Sequence, residues 1–246
     1  METQGCINVI GLGAGTLDTM TGEALSALLE CDIVVGYEKY VDQALRMAPG
    51  KNASASGMGG ETERCREALR LAAEGKRVAL VSSGDPGVYG MAGLMLEIGE
   101  QAGNPAPIRI IPGISAALIG AAALGAPLMN DFAVLSLSDL LTPWNVIEDR
   151  LRHAAEADLV ICLYNPKSKG RTRQIERTCE IIRQSRPGST PAGIVRQAGQ
   201  TDQAAVVTRL DDLLNHAIDM STVVIIGCQA TRIVNGRMVT PRGYVL

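Results

Sequence analysis

Aromatic residues are the scarcest feature of this chain, at 3% of 246 residues with a single Trp and a single Phe. Binding of single-stranded nucleic acid by base stacking needs several aromatic platforms, so that mode of action is excluded. An excess of positive charge is missing too: 23 Lys and Arg stand against 26 Asp and Glu, a formal charge of −3. Counterion release from a phosphate backbone then has no overall driving force, and no nucleic-acid partner is expected. The six cysteines, Cys6, Cys31, Cys65, Cys162, Cys179 and Cys228, contain no C-x-x-C pair. Most fall in apolar segments, as small buried hydrophobes in a reducing compartment do, which argues against a disulfide framework or a metal site. Met1 to Gly5 lead into a strand-like run without a basic and then an apolar region, so no signal peptide and a cytoplasmic location are expected. One uncharged stretch, from Ile110 to Asn130, is bracketed by Pro112 and Pro127. The helix it can hold is shorter than the ~20 residues of a bilayer span, so no membrane partner is expected.

What the chain does contain is an alternation of short apolar runs and amphipathic stretches, the pattern of an α/β protein with largely parallel strands. Strands are expected at CINVI (from Cys6), DIVV (Asp32), RVALVS (Arg77), IRII (Ile108), FAVLSL (Phe132), LVICLY (Leu159), PAGIV (Pro191) and TVVII (Thr222). Helices are expected over 21–30, 61–74, 88–100, 115–124, 145–155, 171–184 and 210–217. Near the end, Asn235-Gly236 between two apolar runs predicts a type I′ hairpin. The Gly- and Ala-rich region from Gly113 to Pro127 marks a junction, giving domains 1–120 and 121–246.

Four strand-to-loop junctions carry the candidate chemistry. The first strand ends in GLGAG (Gly11 to Gly15), where glycines permit close backbone approach and positive φ. The dinucleotide fingerprint needs glycine where this chain has Thr16, and no Gly-Lys-Ser/Thr follows for a P-loop. SSGDPGVYG (Ser82 to Gly90) places Asp85 at the carboxyl end of a strand, where open α/β sheets bind ligands. A carboxylate repels phosphate but accepts hydrogen bonds from ribose hydroxyls or pairs with an ammonium; alternatively Asp85 caps a helix starting near Val88. IIPGISAALIG (Ile110 to Gly120) falls one residue away from a nucleophile elbow at Ser115, yet the only histidines are His153 and His216. Ser115 fits better as a helix cap or a ligand donor. LYNPKSKGRTRQ (Leu163 to Gln174) gathers Lys167, Lys169, Arg171 and Arg173 just beyond a strand, which suits an anionic ligand or, alternatively, a solvated helix start.

In this order and spacing GLGAGTLDTMT, SSGDPGVYG, PGISA and LYNPKSKGR resemble the tetrapyrrole methylase family over essentially the whole chain. SLSDLLTPW (Ser136 to Trp144), VRQAGQTDQ (Val195 to Gln203) and VTPRGY (Val239 to Tyr244) are similar to its precorrin-3 C17-methyltransferase branch in cobalamin biosynthesis. The resemblance implies two α/β domains with S-adenosylmethionine folded into the cleft between them, and a homodimer. It implies cofactor contacts at Ala14, Asp85, Val88, Ser115, Ala116 and Leu163 or Tyr164, with a further contact near Ile194 to Arg196. It implies methyl transfer to C17, with ring contraction extruding a bridging carbon as an acetyl group, and S-adenosylhomocysteine as by-product. The acetate and propionate arms of a tetrapyrrole substrate would explain Lys167, Lys169 and Arg171. Tyr37, Glu38 and Asp139 are the candidates for proton transfer, with structural roles as the alternative; Tyr37 and Asp139 are preferred. Both a cobalt-containing and a metal-free substrate fit the resemblance. Other methylases of the same fold, a nicotinamide-dependent reductase and a non-catalytic nucleotide sensor are the competing readings.

Overall fold

The computed structural model describes residues 5–168 and 170–245. The chain divides into two compact units, Met1–Ala116 and Ala117–Leu246. The break falls at the start of the helix Ala116–Leu124.

The first unit contains strands β1 (Cys6–Gly11), β2 (Ile33–Tyr37), β3 (Asn52–Ser56), β4 (Arg77–Ser82) and β5 (Ile108–Ile111), and helices α1 (Gly22–Glu30), α2 (Glu38–Met47), α3 (Glu61–Ala73) and α4 (Ala92–Gln101). The sheet is wholly parallel in the order β3-β2-β4-β1-β5. Alternation along β4 explains how both faces are covered. Val78 and Leu80 pack with Cys65, Leu69 and Met95 of α3 and α4, whereas Ala79 and Val81 pack with Ala24, Leu28, Val41 and Ala44 of α1 and α2. Strands buried on both faces read as continuous apolar runs, which is why β1 and β4 are visible in the sequence. β3 is not: Asn-Ala-Ser-Ala-Ser is a half-exposed edge strand that only its pairing with β2 creates. α2 starts directly at the end of β2, leaving no loop to signal it. α4 begins at Ala92 and not near Val88, because residues 85–91 form a turn.

The second unit holds α5 (Ala116–Leu124), β6 (Gly125–Ala126), β7 (Phe132–Ser136), α6 (Trp144–Glu156), β8 (Val160–Tyr164), α7 (Arg173–Arg183), β9 (Pro191–Arg196), β10 (Ala204–Arg209), β11 (Thr222–Ile226), β12 (Arg232–Val234) and β13 (Arg237–Val239). Its main sheet, β10-β9-β11-β8-β7, corrects the expectation of parallel strands: only β7 and β8 are parallel, and the other pairings are antiparallel. Apolar runs report burial and not direction, so periodicity could not decide this. β10 was not expected because Ala204, Ala205 and Val206 are exposed on an edge strand. The helix expected over 210–217 is a single 3₁₀ turn, Leu213–Asn215, with Leu213 alone buried in it. The hairpin forms as expected: Asn235 and Gly236 have φ of 49° and 76°, and β12 pairs antiparallel with β13.

One buried cation ties this unit together. The Arg186 side chain donates to the carbonyls of Gly227 (2.5 Å), Leu159 (2.5 Å) and Ala154 (3.2 Å), fastening the ends of β11 and α6 and the start of β8. Burial pushes its pKa down, opposed by the nearby Asp158 carboxylate.

Candidate active site

At the carboxyl ends of the adjacent strands β4, β1 and β5, three loops of the first unit meet with almost no side chain between them. Leu12 N–H donates to Ser82 O (2.8 Å), and Gly13 and Gly84 exchange N–H···O bonds of 3.1 and 2.7 Å. A methyl group on Gly11 would come within 2.6 Å of both Gly113 N and Gly84 O. The Asp85 carboxylate completes the bracing: Oδ1 accepts Gly87 N–H (2.8 Å) and Oδ2 accepts Gly113 N–H (3.1 Å). Asp85 therefore caps its own turn and ties it to the PGIS loop, and it caps no helix, since α4 begins seven residues later. It is half-buried, and each carboxylate oxygen accepting one amide retains acceptor capacity for a ligand.

The GLGAG turn is not a phosphate cradle. A dinucleotide site aims a helix N-terminus and free amides at the pyrophosphate. Here Ala14 N–H is taken by Thr19 Oγ1 (3.0 Å), a 3₁₀ turn at Leu17–Thr19 intervenes, and α1 starts only at Gly22. The α1 N-terminus is capped internally, Thr21 Oγ1 accepting Ala24 N–H at 3.1 Å. What is presented is a narrow turn with Gly13 and Gly15 at φ of 59° and 82°, closed beneath by the buried Gln43 amide.

In the second unit the parallel strands β7 and β8 end side by side, Ser136 opposite Tyr164. Tyr164 Oη accepts Ala117 N–H (2.8 Å) in the first turn of α5. Leu137 N–H donates to Tyr164 O (2.9 Å), and Asn165 Nδ2, from a residue at φ 51°, donates to Ser136 Oγ (3.0 Å). Arg171 donates from Nη1 to Leu137 O (2.9 Å) and lies 3.9 Å from Asp139 Oδ1, while Gln174 Nε2 donates to Asp139 Oδ2 (3.1 Å). The loop after β7 and the loop after β8 are thus bonded into one structure.

A model of the tetrapyrrole (corrin/porphyrin) methylases matches residues 7–214. The chain belongs to the tetrapyrrole methylase family. Among its relatives, a probable cobalt-factor III C(17)-methyltransferase of Salmonella typhimurium is 45% identical, over 98% of this chain and 100% of that one. A precorrin-3B C(17)-methyltransferase of a Sinorhizobium species is 41% identical, covering 98% and 97% of the two chains. The crystal structure of the methyltransferase CobJ superposes with a TM-score of 0.89 at 42% identity, covering 96% of this chain and 100% of the other.

Within this methylase the expected site residues separate into distinct settings. Ala14, Asp85, Val88 and Ser115 all lie at one edge of the first sheet, on the loops after β1, β4 and β5, and Ala116 directly follows as the first residue of α5. Tyr37 ends β2 at the same edge, its ring edge-on to Tyr40 with centroids 5.3 Å apart, and Glu38 beside it is exposed. Leu163 is wholly inside the second core, which leaves Tyr164 as the residue of that strand with a reachable side chain. Arg171 is committed to Leu137 and Asp139, with its side chain 11% exposed, so it braces a loop where the sequence suggested an anion contact. Lys167 is half-buried, Arg173 is exposed, and Lys169 lies outside the described residues. His216 and His153 make local contacts, to Thr208 Oγ1 (3.1 Å) and Asp149 O (2.7 Å). Thr19 and Gln43, which shape the GLGAG turn, went unrecognised; only the Thr16-x-x-Thr19 spacing could have pointed to the former, and nothing local to the latter.

Proposed function

We propose that this methylase transfers a methyl group from S-adenosylmethionine to C17 of a precorrin-3-type tetrapyrrole, with ring contraction, in cobalamin biosynthesis. The observation that carries the reading is the match, along nearly the full length of the chain, to relatives named for C17 methylation, and the braced loop Ser136 to Trp144, which resembles that branch, supports it. The cofactor supplies an already activated methyl on a sulfonium centre, so alignment with little water is the main demand on the protein. The GLGAG and GDP turns fit such a group: the Gly13, Ala14, Gly15, Gly84 and Gly87 amides are internally bonded and a carboxylate stands where a phosphate would be repelled. Asp85 offers acceptors to ribose hydroxyls or the ammonium, and Ala14, Val88, Ser115, Ala116 and Tyr164 complete the proposed contacts. Lys167 and Lys169 meet substrate carboxylates. Tyr37 and Asp139 are the proton-transfer candidates, and Arg171 with Gln174 holds the Asp139 carboxylate in place.

The same reading makes the enzyme a cytoplasmic homodimer. Its buried thiols agree with a reducing compartment, and no helix among the described residues is long and apolar enough to cross a membrane. Two measurements test the function. Calorimetry is expected to give binding of S-adenosylhomocysteine in preference to NAD, and the reverse order would sink the methylase cofactor assignment. Incubation with S-adenosylmethionine and either the cobalt-containing or the metal-free substrate is expected to give a product one methyl heavier with a changed absorption spectrum. Methylation of neither form would refute the substrate.

A further inference from the structure

The loop between β7 and α6 displays two leucines at nearly full exposure, Leu140 at 81% and Leu141 at 98%. Loops commonly hide or omit such residues, and a flexible loop could fold them back onto the protein. This one cannot readily do so, because both of its feet are fixed. At one foot Leu137 is fully buried, its N–H and C=O are taken by Tyr164 O and Arg171 Nη1, and Asp139 is held by Gln174. At the other, Pro143 O accepts Val146 N–H at 3.0 Å, and Trp144 packs on the core with its indole N–H on Glu148 (2.9 Å). Two exposed leucines on a loop fastened at both ends represent apolar area kept available at a cost.

What would cover it is indicated by the neighbouring loop. Arg171 bonds the leucine loop directly, and the same segment carries Lys167 and the exposed Arg173. Arg171 is paired with Asp139, so Lys167 and Arg173 are the charges of this bonded loop, among the described residues, that stand available to a ligand. An occupant that matches both leucines and charges is a flat apolar body with carboxylates on its rim. We infer that Leu140 and Leu141 form an apolar ledge against which the face of the tetrapyrrole macrocycle packs, while Lys167 and Arg173 meet its carboxylate arms. This rests on the function proposed above and adds to it the residues that recognise the macrocycle face. The ledge selects for a large planar ring and not for charge alone, and it acts in substrate binding.

The test uses the full chain and the double variant Leu140→Ser/Leu141→Ser. Because both side chains are solvent-exposed, the variant is expected to keep the wild-type thermal midpoint and its affinity for S-adenosylhomocysteine. Titration with cobalt-factor III and with precorrin-3B, read by quenching of the single Trp144, is expected to show binding about tenfold or more weaker than wild type for whichever form the wild type accepts. Leu140→Met/Leu141→Met is expected to restore binding, since apolar area and not shape is what it supplies. Unchanged tetrapyrrole affinity in the folded serine variant would overturn the ledge and leave the methylase reading intact. So would a smaller sedimenting species with unaltered affinity, which would make the leucines a contact between copies of the chain. Wild-type protein that binds S-adenosylhomocysteine but neither tetrapyrrole would overturn the substrate reading and the ledge together.

Discussion

At the scale of single residues, the candidate cofactor site is defined by what is absent. Gly11, Gly84 and Gly113 come from three different strand ends, and the backbones pack so closely that a methyl group on Gly113 would run into the Gly84 carbonyl. Gly113→Ala is therefore expected to lower stability by about 1–3 kcal/mol, the usual cost of overpacking. It should also weaken S-adenosylhomocysteine binding, because the Asp85 bridge to Gly113 N–H is displaced with it. Thermal unfolding and calorimetry on the same sample check both; normal affinity with lowered stability would separate the loop packing from ligand binding. The sequence pointed to Asp85 and the glycines as strand-end turns of special backbone geometry. It could not reveal that Asp85 spends one oxygen on each of two loops, because Gly113 is 28 residues away in the chain.

Among elements, the first sheet was legible wherever a strand is buried on both faces and obscure at its edge. β3 exists through its pairing with β2 alone, and β2 in turn is locked to β4 by Asp32, which accepts from Arg77 N–H (2.8 Å) and Nη2 (2.8 Å). The Arg77 guanidinium is the chief reason the Asp32 carboxyl titrates below its ordinary range. A depressed folded-state pKa gives stability that is complete above the unfolded value of about 4 and is lost as pH falls through the lower folded value. Both side chains are substantially exposed, 51% for Arg77 and 41% for Asp32, so solvent screening leaves the pair only a small contribution to stability. Arg77→Met is expected to destabilise slightly at pH 7, and less as pH falls through the depressed folded-state value of Asp32. Urea unfolding at pH 7 and at successively lower pH decides it, and an equal loss throughout would show that the side chain acts through packing. In the second unit the basic run from Lys167 to Arg173 read as one cluster, yet its members divide. Arg171 is pinned between Leu137 and Asp139, whereas Arg173 stands exposed at the start of α7. Charge is written in the sequence; which charge is used up internally is settled by packing.

For the molecule as a whole, cysteine chemistry gives the simplest measurement. Five of the six thiols are buried, with only Cys6 half-exposed, and burial pushes Cys65 and Cys179 up to about 11 and Cys162 up to about 12. Since the thiolate is the reactive form, native protein at pH 8 should react with a disulfide reagent at no more than the single half-exposed thiol. Denaturant should release all six cysteines of the chain. Rapid native reaction of several would show that a unit opens easily. The identity of the family, too, was available at this scale, because it rests on ordered motifs spread along the chain and on no single residue. Composition and apolar periodicity determined by themselves an α/β chain without stacking platforms, and the ordered motifs carried its resemblance to the tetrapyrrole methylases. These properties are additive along the chain, so counting them in one dimension suffices. Strand direction in the second sheet, the edge strands β3 and β10, the buried service of Arg171 and Arg186, and the exposure of Leu140 and Leu141 were decided by tertiary structure alone. Each depends on which distant group becomes a neighbour, and that is fixed by the packing of the whole core.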